Sequence, residues 1–363
     1  MKKYGILLIG CGYIGCEHLK DIYYRPEFEI VAVVDKFEER AALAAKKYNA
    51  LSYGKDYKPF LSDKRIQIVI IATYPDTHLK IAKECLLYGK HVLCEKPIAR
   101  TFEESLKFYN MALKSKCKVQ VSKLEEKLEK LDDEMNKNAT NSVKLKELID
   151  SKIIGELKVI RMVQNQHISD WSRYCSLLEN CMPIVDCGVH YIDIVRWFTG
   201  SEITKVSGFG TKIDEDSPKY NYTIMNFETE NGCQGFYESC WSRNIGAQNV
   251  KEFIGTEGRI TLTLAKHRGE EIADGDLIRI YSKDSEEYRS ICYKSVYKDM
   301  YAQILSLINS IENDTPTVPS LEDVFKAQQI ALKAEKAILN KIPVSVESHG
   351  VMPLKEKDKM SVF

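Results

Sequence analysis

The sequence predicts an α/β fold: a doubly wound parallel sheet first, then an α+β domain with a mostly antiparallel sheet. Three observations predict it. Strand-sized apolar runs alternate with helix signals over residues 1–121. A glycine-rich turn follows the first of those runs. Beyond residue 155 the pattern changes to strands separated by hairpin dipeptides.

The first domain reads as follows. Tyr4–Ile9 is continuously apolar, as a buried parallel strand should be. A helix from about Ile14 to Tyr24 ends before Pro26. Glu29–Val34 is the second strand, and the Ala- and Lys-rich Phe37–Tyr48 the second helix. Gln67–Ala72 is a strand, and a helix from Thr77 to Tyr88 stops at Gly89. His91–Cys94 is a strand. Thr101 and Glu104 have capping-box spacing at the start of the next helix, and Val119–Val121 is a last strand.

Residues 122–150 form a connector in which fourteen of 29 residues are charged. Leu124, Leu128, Leu131 and Met135 make one apolar stripe, which predicts a solvated amphipathic helix, and helix resumes over Val143–Asp150. Leu157–Gln164, Ile203–Phe209 and Tyr222–Glu228 are extended, and Asn231-Gly232 joins the last of these to Cys233–Ser239 in a hairpin. Asp274-Gly275 precedes the alternating Leu277–Tyr281. Helices return at Asp299–Ile311 and Leu321–Leu339, with the option of packing back on the first domain. The domains are therefore set at 1–121 and 122–345, with a tail at 346–363.

Length and charge bound the function. At 363 residues, the chain suits two domains. Lys plus Arg and Asp plus Glu are both 52, so there is no basic excess to bind nucleic acid. No apolar run approaches a membrane span, and the first residues carry no signal-peptide pattern. Eleven irregularly spaced cysteines predict free thiols in a reducing cytoplasm. Cys175, Cys181, Cys187 and His190 lie six, six and three apart, which fits no usual zinc motif, so no metal is expected.

Gly10-Cys11-Gly12-Tyr13-Ile14-Gly15 is G-x-G-x-x-G between a strand and a helix, the context of a dinucleotide-binding Rossmann turn. Gly10 permits the turn, Gly12 the approach of a pyrophosphate, and Gly15 close helix packing, with the helix N-terminus facing the phosphates. Asp35, 20 residues after Gly15, suits the two ribose hydroxyls and repels a 2′-phosphate, which predicts NAD. Lys36 and Arg40 soften that repulsion and leave NADP open.

Three further motifs stand at strand ends or beyond the first domain. They are Thr73-Tyr74-Pro75-Asp76-Thr77-His78, Glu95-Lys96-Pro97, and the stretch from Asp186 through His190 to Asp193. Lys96 lies just past a parallel strand, at the sheet edge where α/β folds bind ligands. Asp186 and His190, four apart, share one face of a helix and can form a carboxylate–imidazole pair for proton transfer. The same pattern also reads as Asp186 capping a helix with His190 packed in the core.

Taken together, the Gly10–Gly15 loop, the acid at 35, T-x-P-x-x-H at 73–78, E-K-P at 95–97 and D-x-G-x-H-x-x-D at 186–193 resemble the Gfo/Idh/MocA oxidoreductases (glucose–fructose oxidoreductase, inositol dehydrogenase and relatives). The resemblance runs over about residues 3–345. It implies a second domain with a large sheet, and hydride transfer between a nicotinamide and a carbinol carbon of a sugar or polyol. It implies that Lys96 contacts the reacting oxygen, that His190 is the general acid/base, and that Asp186 binds a neighbouring hydroxyl. Thr73, Pro75, His78, Glu95 and Lys96 then join Gly10, Gly12, Tyr13, Ile14, Gly15, Asp35, Lys36 and Arg40 around the cofactor. It also implies homodimers or homotetramers.

Ser122-Lys123-Leu124-Glu125-Glu126 replaces the Arg- and Pro-containing stretch that often reaches the substrate in this family. Asn165 and Trp171, with Arg161, His167, Arg173 and Tyr174, are the candidates to line the pocket instead, in a segment 165–185 that reads as an irregular loop. The alternatives are an NAD-binding sensor without catalysis, or a reductase of a nucleotide-sugar or of a non-sugar carbonyl such as a dihydrodiol.

Overall fold

The computed structural model describes residues 3–122, 141–264, 275–283, 287–293 and 299–346. They fall into two compact units, the first holding 3–122 and 299–325 and the second the remainder.

In the first unit, β1 (Tyr4–Ile9) leads through the glycine turn into α1 (Tyr13–Ile22). Then come β2 (Phe28–Val34), α2 (Glu38–Tyr48), β3 (Ser52–Gly54) and α3 (Lys58–Leu61). They are followed by β4 (Ile66–Ile71), α4 (Pro75–Leu87), β5 (His91–Cys94), α5 (Phe102–Lys114) and β6 (Val119–Val121). The order is β3-β2-β1-β4-β5-β6, all parallel, the dinucleotide-binding arrangement. Every residue of β1 is buried, as its unbroken apolar run requires. The predicted cap at Thr101 forms: its hydroxyl accepts the Glu104 N–H at 3.2 Å.

The second unit begins at α6 (Asn141–Asp150), and residues 123–140, with the Leu124–Met135 stripe, lie outside the described residues. It continues with β7 (Leu157–His167), α7 (Trp171–Asn180), α8 (Pro183–Asp186) and α9 (Gly188–Thr199). Next are β8 (Ile203–Thr211), β9 (Tyr222–Thr229), β10 (Gln234–Ser242), β11 (Gln248–Gly255), β12 (Gly258–Thr263), β13 (Asp276–Ser282) and β14 (Glu287–Tyr293). The segment 165–185 is thus not irregular. Asp170 accepts the Arg173 N–H at 3.1 Å and starts α7. The Asn231-Gly232 hairpin is present, with Gly232 at φ +80°.

The chain ends with α10 (Met300–Glu312), α11 (Leu321–Asn340) and β15 (Val344–Ser345). The tail from 347 onward lies outside the described residues. The second sheet has nine strands, ordered β14-β13-β12-β11-β7-β10-β9-β8-β15. It is antiparallel except where β7 runs parallel to β10. One face is buried: Ile160, Met162, Tyr237, Phe253 and Ile260 share a core with Ile192, Val195 and Phe198 of α9 and Ala334 and Ile338 of α11. The C-terminal helices had the option of packing back on the first domain, and α10 takes it. Ile304, Leu307 and Ile308 of α10 bury their apolar stripe against Tyr4, Ile6, Leu19 and Ile22, so α10 belongs to the first unit.

Candidate active site

In the first unit the strand order reverses between β1 and β4, and the turns after these two strands adjoin. Gly10 has φ +100°, and a Cβ on it would lie 2.4 Å from the Ala72 carbonyl oxygen. A Cβ on Gly15 would lie 1.9 Å from the Gly10 carbonyl oxygen, while one on Gly12 would meet nothing within 4 Å. Gly10 and Gly15 are therefore demanded by packing, and Gly12 keeps an exposed backbone. No side chain caps α1, whose first residues Tyr13 and Ile14 stand at the open end of the loop. This loop, with an acid at the end of β2, fits a dinucleotide's pyrophosphate and ribose.

That acid, Asp35, is buried and bonded through both oxygens. Oδ2 accepts the Cys11 N–H and Oδ1 the Phe37 N–H, each at 2.9 Å. A carboxylate retains further lone pairs for hydroxyl donors. Lys36 and Arg40 are exposed and lean over the Phe37 ring at 5.0 and 4.6 Å. After β4, Thr73 bonds Thr77 through their hydroxyls at 2.6 Å, and Pro75 opens α4.

At the end of β5, residues 92–99 are buried with one exception, the half-buried Lys96. Its neighbours are fastened from two sides. His18 Nε2 on α1 lies 2.8 Å from Glu95 Oε1, and the Ser122 hydroxyl donates to the same oxygen at 2.5 Å. Burial pushes the Glu95 carboxyl up, but the bonds from His18 and Ser122, the His18 charge and the Lys96 charge outweigh it and hold it at about 2. On the other side, the ring nitrogens of His78 lie 3.0 Å from the Pro97 and Thr73 carbonyl oxygens. Burial pushes the His78 pKa down, against those carbonyls and the charges of Glu95 and Asp76. His78 is 0% exposed, which corrects the expectation that it touches a cofactor: it ties the turn after β4 to the turn after β5. Glu95, likewise expected at the cofactor, directs its carboxylate inward to His18 and Ser122.

The second unit repeats the pattern seen around Lys96. From 181 to 196 every residue is buried except Asp186 and His190. Asp186 ends α8 and His190 lies in the first turn of α9. The Cys187 between them keeps a right-handed helical backbone (φ −89°, ψ −36°), so the four-residue offset is close to helical. Neither helix start uses Asp186 as a side-chain cap, and His190 is not in the core; the capping alternative is not what forms. Asp193, the last residue of that motif, is held by Arg196 at 3.3 Å, and Arg196 in turn by Glu202 at 2.7 Å.

The pocket candidates are engaged with protein partners. Asn165 is buried and donates to Glu238 at 2.7 Å. The Trp171 indole donates to Asp216 at 2.9 Å, under the Arg243 guanidinium at 4.6 Å. Arg161 pairs with Glu252, His167 contacts the Ile245 carbonyl, Arg173 lends its amide to the Asp170 cap, and Tyr174 donates to Gln166. Sequence reasoning missed the network around Tyr191, the residue after His190. Tyr191 stacks on Tyr237 at 4.2 Å, Tyr237 donates to Gln164 at 2.7 Å, and Asn249 donates to the Tyr191 hydroxyl at 3.1 Å. It also missed His18, although a histidine among Gly15, Leu19 and Ile22 on the buried stripe of α1 was a legible signal.

Comparison with known proteins agrees with this geometry. Residues 4–123 match the model of an oxidoreductase family with an NAD-binding Rossmann fold, and residues 142–261 match the GFO/IDH/MocA C-terminal domain. Inositol 2-dehydrogenase 2 of Saccharopolyspora erythraea is 29% identical over 259 residues, 70% of this chain and 72% of that one. Scyllo-inositol dehydrogenase from Lactobacillus casei, solved with NAD(H) and scyllo-inositol, superposes with TM-score 0.73 at 20% identity, covering 95% of this chain and 99% of that one. A levoglucosan dehydrogenase solved with NADH and L-sorbose has TM-score 0.76 at 20% identity, covering 96% and 100%.

Proposed function

We propose, from the premise that this chain belongs to the GFO/IDH/MocA oxidoreductase family, that it is an NAD-dependent dehydrogenase of a sugar or polyol. One observation carries the reading: Lys96, Asp186 and His190 are the accessible heads of otherwise buried runs. A packed backbone with a presented polar group is the arrangement that catalysis needs.

Bound NAD supplies the acceptor for the hydride from the carbinol carbon. The backbone of Gly10, Gly12, Tyr13, Ile14 and Gly15 holds its pyrophosphate, Asp35 its ribose, and Thr73 and Pro75 border it. Lys36 and Arg40 flank Asp35 and keep NADP within reach. His190 accepts the hydroxyl proton as the carbinol becomes a carbonyl and returns it in the reverse direction. Lys96 hydrogen-bonds the reacting oxygen. An ammonium carries three donors and no lone pair, so it suits that electrostatic part and not that of a base. Asp186 accepts from a neighbouring hydroxyl, Trp171 borders the substrate, and the buried Asn165 stands behind the site, bonded to Glu238.

The substrate class follows the relatives named for inositol and levoglucosan. The test is direct: purified protein with NAD or NADP and a panel of myo-inositol, scyllo-inositol and levoglucosan, read by nicotinamide absorbance. Turnover of at least one polyol with NAD is expected. NAD binding without turnover in either direction across the panel would overturn the enzyme reading in favour of a sensor. We further propose a homodimer or homotetramer through the open face of the second sheet, where Phe209 and Tyr288 are exposed, checked by light scattering. All eleven cysteines are free, which supports a reducing cytoplasm as its location.

A further inference from the structure

Lys96 is the one presented side chain in its buried run, yet what directs it lies out of sight. The His18 imidazole is 1% exposed and reaches Glu95 from α1, the helix that starts at the glycine loop. The two residues are 77 apart in sequence, and their bond at 2.8 Å joins α1 to the strand end that carries Lys96. Ser122, just past β6, donates to the same oxygen, so Glu95 is fixed from two elements. A carboxylate this buried needs such donors, because an ionised group without partners is strongly destabilising. His78 holds the next carbonyl, that of Pro97, so the residues on both sides of Lys96 are anchored.

We propose that His18 is a positioning residue: through Glu95 it fixes the direction and charge environment of Lys96, and ties them to the helix that receives the cofactor's phosphates. The inference rests on the reading of Lys96 as the group at the reacting oxygen. His18 itself touches no reacting atom. The titratable groups around Glu95 are His18 from α1, Cys94 and Lys96 on either side of it in the chain, and His78 from α4.

Two variants separate positioning from bulk packing. His18→Leu keeps a large apolar side chain and removes the donor. His18→Gln keeps an N–H that can reach a carboxylate. The Glu95 carboxyl is followed by carbon NMR on protein labelled at glutamate, with Glu95→Gln assigning the signal. In the wild type and in His18→Gln it should stay ionised to below about pH 4. In His18→Leu it should take up its proton at least one pH unit higher. The rate at which an amine reagent labels Lys96, read by mass spectrometry, should change in His18→Leu and return in His18→Gln. With a turned-over polyol, kcat of His18→Leu should fall by about 10²-fold, the cost of a small misplacement, with the NAD Kd and substrate KM nearly kept. The acid limb of its kcat profile should rise with the Glu95 titration.

An unmoved Glu95 titration or unchanged Lys96 labelling in His18→Leu overturns the proposal. So does an equal kcat in the two variants. If no polyol is turned over by the wild type, the functional reading fails, while the NMR and labelling results still decide the pair.

Discussion

The amide of Cys11, inside the glycine loop, donates to Asp35 Oδ2 at 2.9 Å, so the acid at the end of β2 also closes the loop after β1. Its other oxygen accepts the Phe37 N–H. Asp35→Ser therefore does two things. It removes the charge that repels a 2′-phosphate, so the NADP/NAD ratio of kcat/KM should rise, with Lys36 and Arg40 already on that side. It also leaves two backbone N–H groups without their charged acceptor, which costs about 1–3 kcal/mol. A lower Tm beside the altered ratio is the expected pair of results. An unchanged ratio would remove Asp35 from the ribose.

His190 is half-buried on α9, so truncating it removes less packing than a core substitution would. His190→Ala should cut turnover by about 10²–10⁴-fold, the usual worth of positioned proton transfer. Calorimetric NAD affinity and Tm should stay near wild type, since the nucleotide loop lies in the other unit. Retained turnover would take His190 out of the acid/base part.

The first sheet was legible in the sequence because fully buried parallel strands are continuous apolar runs, and the glycine loop declares its steric need at Gly10 and Gly15. The second sheet was legible where β-branched and aromatic runs marked a strand, as at Leu157–Gln164, or where a turn announced one, as at Asn231-Gly232. β11 was missed because Asn249 and Lys251 point to the buried face, where alternation reads polar residues as outward. α7 was missed although Asp170 could cap it and Trp171, Tyr174, Leu177 and Leu178 recur at helical spacing; only Leu178 is fully buried, the other three packing partly exposed against the core. The strand-end motifs showed where Lys96, Asp186 and His190 lie. They could not show what holds Glu95 or Trp171, whose partners His18 and Asp216 are 77 and 45 residues away.

Lys251 is 2% exposed and reaches toward the Tyr191 ring, 5.2 Å from its centre. Among the described residues no carboxylate pairs with it. A cation–π contact returns about 0.5–2 kcal/mol, less than the several kcal/mol of desolvating an ammonium. Lys251→Met keeps the length of the stem and removes the charge. Tm should rise, by about 2–4 °C for each kcal/mol gained. A fall in Tm would show that the ammonium has a stabilising partner in solution.

Glu95 makes stability depend on pH in a stated direction. Its carboxyl sits at about 2 in the folded chain, below the unfolded value of about 4.3. Folding therefore gains from the ionised form at any pH above the unfolded value. The gain shrinks as pH falls through the window between the two and is gone below about 2. Two to three pH units of difference correspond to about 3 kcal/mol. Glu95→Gln removes the titration while keeping a side chain that can bond His18 and Ser122. Denaturant melts from about pH 6 to pH 2.5 should show the wild type losing more stability than Glu95→Gln on the way down. Parallel curves would mean that Glu95 takes up its proton equally in the folded and unfolded chains, and that the His18 bond does not hold it ionised.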